Sequence, residues 1–324
     1  MHPSSSWLAA LAVVGVLAAP QHTPPASSPS SPPPRYSPAF AIEPESRQVT
    51  LFGGHSDRDL ADSWVRDEEG WRRLEIDGPS ARNWPQLAPC PDGGLFLFGG
   101  DVQLAAKGDS WRFDGRRWSE VKGAGPPARS LHRLALDGAR KRVVLFGGRD
   151  RDEWRQDTWE FDGKAWIAPK LAGEPPPARQ LHAMAWDGAH RVALLFGGTA
   201  RHSGRPKQTD LLGDTWEYDG KRWSQLEVEG PSPRDHVAMA FDAKRGVVVL
   251  FGGGDPERGA LGDTWIWDGA DWSEAKTESP GPRAGHSMAW DPAGERVLLF
   301  GGFDPRGPRS DLLAWDGEKW SAVE

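Results

Sequence analysis

Three sets of residues in this 324-residue chain have the types and spacing to do chemistry. His132, His182 and His286 each lie three residues after an arginine, and His236 sits in the same place shifted by one position. Imidazoles at related places are the raw material of a metal site. The same place in the first copy of the pattern is Pro38, and the second copy also lacks the histidine. The histidines are therefore read as packed, hydrogen-bonded core residues, and no metal is expected. The second set is six arginines, Arg35, Arg82, Arg129, Arg179, Arg234 and Arg283, matched by six aspartates, Asp62, Asp109, Asp157, Asp214, Asp263 and Asp311. Residues that recur in every copy of a repeat are usually scaffold, so each arginine is expected to bind an aspartate or a loop carbonyl. A ring of cations gathering an anion is the other reading.

The third set is not repeated. Arg149, Arg151, Trp154 and Arg155 are interleaved with Asp150, Asp152 and Glu153. Further on come Arg201, His202, Arg205 and Lys207 against Asp210, and then Arg306 and Arg309. Variable cationic stretches with an aromatic platform are where a repeat protein can carry a ligand site. These residues are the ligand-binding candidates, centred on the third and fourth copies. No GxSxG, HExxH, paired CxxC or calcium-loop pattern occurs, so no catalytic residue and no cofactor is assigned.

The elements that must position these residues come from one unit repeated six times. A short apolar run ends in Phe-Gly-Gly, whose first glycine is Gly53, Gly99, Gly147, Gly197, Gly252 or Gly301, at steps of 46, 48, 50, 55 and 49 residues. A polar loop follows, then Asp with a Trp two residues on (Trp111, Trp159, Trp216, Trp265; Leu313 in the last copy), an Asp-Gly turn, and a second Trp. A period near fifty with no helical pattern predicts four antiparallel strands per copy. Strand a alternates, strand b is apolar throughout, strand c starts at the first Trp, and strand d is short and charged, as suits an outer edge. The Asp-Gly pairs are expected to make tight hairpins. The repeated Trp residues are expected in the core.

The Gly-Gly after a buried strand, the two spaced Trp, and the Arg with a downstream His resemble kelch repeats. The chain looks like an all-β, six-bladed kelch β-propeller, and its DTWEYDGxxW wording resembles the secreted bacterial branch of that family. Blades are expected at about 36–78, 82–125, 129–173, 179–230, 234–281 and 283–324. Strand a in the first copy and strand d in the last imply a ring that closes by packing, without a strand lent across the seam. The resemblance implies an interaction scaffold. Some family members resemble galactose oxidase, a copper enzyme needing two tyrosine ligands, one of them cross-linked to cysteine. Here Tyr36, Tyr218 and Cys90 are scattered over different copies.

Residues 1–19 hold a 13-residue apolar run, Trp7 to Ala19, which reads as a secretory signal. Residues 20–35, almost wholly Pro, Ser, Thr and Ala, read as a disordered spacer. A net charge of −7 excludes a general nucleic-acid binder, no membrane span is expected in the mature chain, and a single cysteine excludes a disulfide framework. The expected protein is an exported monomer, secreted, periplasmic or at the cell surface. It would engage a protein or glycan through its loop face without catalysis. The alternative is a cofactor-free sugar-modifying enzyme of epimerase or mutarotase type. That alternative requires a carboxylate and an Arg or His converging at the channel mouth.

Overall fold

A computed structural model of the chain describes residues 30–201 and 209–323. The stretch read as a signal and most of the spacer lie outside the described residues, as do His202, Arg205 and Lys207. The described residues form strands and turns, with no helix among them. Six antiparallel sheets follow one another as the blades of a propeller. Strand a of the successive blades is Ala39–Ile42, Gln86–Pro89, Arg133–Asp137, Ala183–Asp187, Ala238–Asp242 and Ser287–Asp291. These inner strands contact one another in a closed ring. Each pairs outward with a strand b, in the order a-b-c-d from axis to rim.

The apolar strands b are dry on both faces because a blade is covered by a neighbour on each side. Val143, Val144, Leu145 and Phe146 all have 0% exposure. The second Trp of each repeat packs across the blade boundary. Trp118, Trp166, Trp223, Trp272 and Trp320 each donate Nε1 to a hydroxyl of the preceding blade, Ser63, Ser110, Thr158, Thr215 and Thr264, at 2.9–3.0 Å. At the seam the hydroxyl position is Leu312, and Trp71 packs on Phe300 there.

Every blade is built from one continuous segment, so no strand crosses the seam. Closure uses the hydrogen bonds found at the other boundaries. Gly302 N donates to Arg35 O at 3.0 Å as Gly148 N does to Arg179 O at 2.8 Å, and Arg35 N reaches Arg309 O at 2.9 Å. Arg35 is thus the first residue of the repeating pattern in blade 1.

Two local expectations are corrected. In the Asp-Gly turns only the glycine is left-handed (Gly220 at φ 89). The aspartate caps a four-residue turn, Asp219 accepting from the backbone N–H of Lys221 and Arg222. And the blade 4 insertion is a rising hairpin as well as a loop. Strands b and c run on past the Gly-Gly bulge to pair Thr199 with Leu211, Ala200 with Asp210 and Arg201 with Thr209.

Candidate functional site

The loop face is built on six copies of one bracket. Arg179 shows the pattern: Nη1 and Nη2 each meet an oxygen of Asp214 at 2.7 Å, Nη1 also donates to Gly197 O at 3.1 Å, and Nε donates to Pro177 O at 3.2 Å. Trp216 Nε1 then donates to Asp214 Oδ2 at 2.6 Å. Trp111, Trp159 and Trp265 do the same to Asp109, Asp157 and Asp263. These four first tryptophans are half-buried braces of the carboxylate, while the second tryptophans Trp118, Trp223 and Trp272 are buried in the core. In blade 6 Leu313 cannot donate, and Arg309 approaches Asp311 instead at 3.5 Å. All six bracket arginines, Arg129, Arg234 and Arg283 among them, are 0–1% exposed and paired. They are scaffold, not an anion-gathering ring. Burial alone would raise Asp214; the hydrogen bonds and charge of Arg179 outweigh it and hold the carboxyl below the usual range. Gly53, Gly99, Gly147, Gly197, Gly252 and Gly301 supply the left-handed corner whose carbonyl meets the arginine.

His132, His182 and His286 pack edge-on to Phe98, Phe146 and Phe251 at 5.4–5.7 Å between ring centroids. They are packed as expected but not hydrogen-bonded: both nitrogens of each are buried without a partner. Burial, then the charges of Arg129 and Arg133, hold His132 neutral. Among the described residues no group of three potential metal ligands converges.

The non-repeated candidates divide. Arg201 lies over the Trp154 ring, 5.7 Å to the centroid, and Arg201 Nη2 donates to Asp152 O at 2.9 Å. This contact ties the blade 3 loop to the blade 4 hairpin. Together with Glu153, Pro177, Ala178 and Ala200 they line an open cleft of about 410 Å³. Arg151 is exposed nearby in sequence. Arg155 is spent on Asp150 and Glu153, both at 2.6 Å, and its backbone carries the Arg179 N–H. It shapes the loop and offers no free charge. Trp154 gives one ring face to Arg201, so the platform presented is a guanidinium stacked on an indole.

A second group was not singled out from the sequence. The residue after each bracket arginine bridges to the residue after each Gly-Gly: Tyr36 to His55, Asn83 to Asp101, Ser130 to Arg149. These offsets ring the channel mouth and differ in every blade. His55 Nδ1 is 2.7 Å from Asp59 Oδ1. Asp101 is 7% exposed, and burial, then the charge of Asp59, raise its carboxyl, with Ser130 and Arg149 among the opposing influences. Burial, then Asp59 and Asp101, push the Tyr36 hydroxyl up to about 12. A half-buried histidine oriented by a carboxylate, a carboxyl raised above its usual range and a cation therefore share the mouth over blades 1–3. The available signal was positional: fixed offsets at which identity varies from copy to copy.

Below the mouth the axis is closed. Two residues after each bracket arginine the chain is left-handed (Ser37, Trp84, Leu131, Leu181, His236, Gly285; φ 51–63). Trp84, Leu131 and Leu181 pack together there, with Trp84 5.2 Å from His236 across the ring.

Six brackets on six glycine corners are now joined by sequence comparison. A model of the KLHDC2/KLHL20/DRC7 Kelch-repeats domain matches residues 17–193, 92–229 and 191–324. The chain belongs to the kelch-repeat family. A solved neighbour in shape, described as the structure of YjhT, aligns with a TM-score of 0.68 at 16% identity over 91% of this chain and 99% of that one. At that identity the likeness speaks for the fold alone.

Proposed function

We propose that this kelch propeller is an exported binding module that takes a protein or glycan ligand on its loop face, without catalysis. The observation that carries the reading is the blade 3–4 cleft. Arg201 stacked on Trp154, beside Asp152 and Glu153, is an open, mixed polar and aromatic surface whose polar and aromatic side chains lie outside the repeated bracket. Such surfaces recognise hydroxyl-rich or charged ligands by stacking and charge-assisted hydrogen bonds. Export rests on residues 1–19, and the Pro/Ser-rich spacer would hold the propeller off the membrane or wall. Glycan-array and secreted-protein capture with the native chain should give a binder whose affinity falls at least tenfold in the Trp154→Ala/Arg201→Ser variant. Unchanged affinity in that variant would overturn the reading. Affinity for an acidic partner should also weaken as salt rises past physiological strength.

One observation favours the second reading, a cofactor-free sugar-modifying enzyme. Asp101, the His55–Asp59 pair and Arg149 meet at the mouth, the convergence acid–base chemistry on a sugar requires. If it is right, sugar anomers or epimers followed by NMR will interconvert faster with native protein, and Asp101→Asn will abolish the gain.

A further inference from the structure

Four residues after each bracket arginine the inner strands carry Ala39, Gln86, Arg133, Ala183, Ala238 and Ser287, each opposite the Phe that ends strand b. Ala39 and Ala238 of this layer line a space on the axis, and Arg133 extends into it. Its Nη2 crosses from blade 3 to donate to Val237 O of blade 5 at 3.2 Å. Arg133 is 9% exposed. Unlike the six bracket arginines it forms no ion pair among the described residues. Burial is the sole influence on its charge and lowers it only to about 10, so the guanidinium is a cation at neutral pH. A buried cation without a counter-charge is strongly unfavourable.

The space around it is a cavity of about 80 Å³ under the Trp84 plug. Two further groups in its lining lack hydrogen-bond partners: the Ser37 hydroxyl, 4% exposed, and both ring nitrogens of His286, 3% exposed. Burial, then the charges of Arg283 and Arg133, hold His286 down to about 3, so it is a neutral ring with one N–H to donate. The ring packs edge-on to Phe251, whose carbonyl also acts on it, at the boundary of blades 5 and 6. The other polar side chains of the lining already have partners. Ser287 Oγ donates to Pro38 O at 2.8 Å and Gln86 Nε2 to Pro85 O at 3.1 Å. The rest of the lining is the unpaired edge of the inner strands, whose Phe40, Leu134, Met184 and Met239 side chains pack between blades.

A cation and a hydroxyl thus share one space whose lining contains no carboxylate. We propose that the channel holds one small monovalent anion, a halide or a small carboxylate, bound by Arg133 with Ser37 as a further donor. Water would satisfy the donors but not the charge. A dianion would leave a second charge with no cation to balance it. The site is separate from the loop-face ligand site and would neutralise the axis on which the six inner strands converge.

The test uses the native chain exchanged into gluconate, an anion too bulky for the cavity. Crystals soaked in bromide should show an anomalous peak within hydrogen-bond distance of the Arg133 guanidinium. In solution, at constant ionic strength, chloride, bromide or formate should raise Tm saturably, by about 5 °C at a hundredfold excess over Kd. The halide and formate arms tell the two sources apart, and either fits the proposal. The rise should vanish in Arg133→Met. If that variant does not fold, the bromide map of the native protein decides alone. No bromide peak at Arg133, or an anion-specific rise that survives in Arg133→Met, overturns the proposal.

Discussion

Replacing Arg179 by Leu tests whether the brackets hold the propeller together as coupled units. The change removes four hydrogen bonds and leaves Asp214, whose side chain is only 18% exposed, with the Trp216 N–H as its remaining side-chain donor. Breaking a buried pair from one side costs about 3–5 kcal/mol, because the surviving charge stays desolvated. Asp214→Leu should cost a similar amount by stranding a fully buried guanidinium. The double variant removes both charges and restores apolar volume, so it should lose only about 2 kcal/mol against the 6–10 kcal/mol expected from simple addition. Urea unfolding of the four proteins with a shared m-value measures this coupling. The folded carboxyl is held below the unfolded value of about 3.9, so its stabilisation is complete at neutral pH and is lost as pH falls through the folded value. The double variant should therefore show a shallower loss of stability below about pH 4 than native protein. Additive losses at pH 7, with an unchanged acid slope, would refute the bracket as a coupled unit.

Two further outcomes follow from the packing. A methyl group on Gly198 (φ +92) would sit 2.5 Å from Gln180 O and 2.8 and 2.9 Å from backbone atoms of His182, whereas one on Gly173 (φ +83) meets nothing within 4 Å. Gly198→Ala should cost about 3–5 kcal/mol and Gly173→Ala about 1, read from urea midpoints. Trp223, 5% exposed and bonded to Thr158 across the blade boundary, should cost about 3–5 kcal/mol as Trp223→Ala. A loss below 1 kcal/mol would show that the boundary packing contributes little.

The repeat itself was legible because its residues answer local needs that recur. Gly-Gly is required where φ is positive, the first glycine against the next blade's backbone and the second against its own blade's, and Asp followed by Trp two residues on is required where a carboxylate takes an arginine and an indole N–H. The seam was legible too, since blade 1 carries its own inner strand and blade 6 its own outer one. What was not legible depends on neighbours a full repeat away. The two tryptophans of a blade look alike in sequence, and only the facing Ser or Thr of the preceding blade makes the second one the boundary core. The histidines read as hydrogen-bonded, yet their partners would have to come from adjacent blades, and there they meet phenylalanine rings.

The candidate site follows the same rule. Trp154 and Arg201 were legible as loop residues but not as a stacked pair, because 47 residues of chain separate two side chains that the ring brings to one boundary. Tyr36, His55, Asp59 and Asp101 come from two copies and share no motif. Arg133 stands where other copies carry alanine, in a strand whose alternation hides a single large side chain. Blade closure put it on the axis.

The central claim, that the ligand docks on the loop face over blades 3 and 4, is tested most directly by hydrogen exchange on the full chain with and without the tightest binder from the glycan and secreted-protein captures. Protection is predicted at residues 149–155 and 199–201, with the turns at 114–117, 162–165 and 219–222 on the opposite face unchanged. Protection confined to those turns would contradict the account.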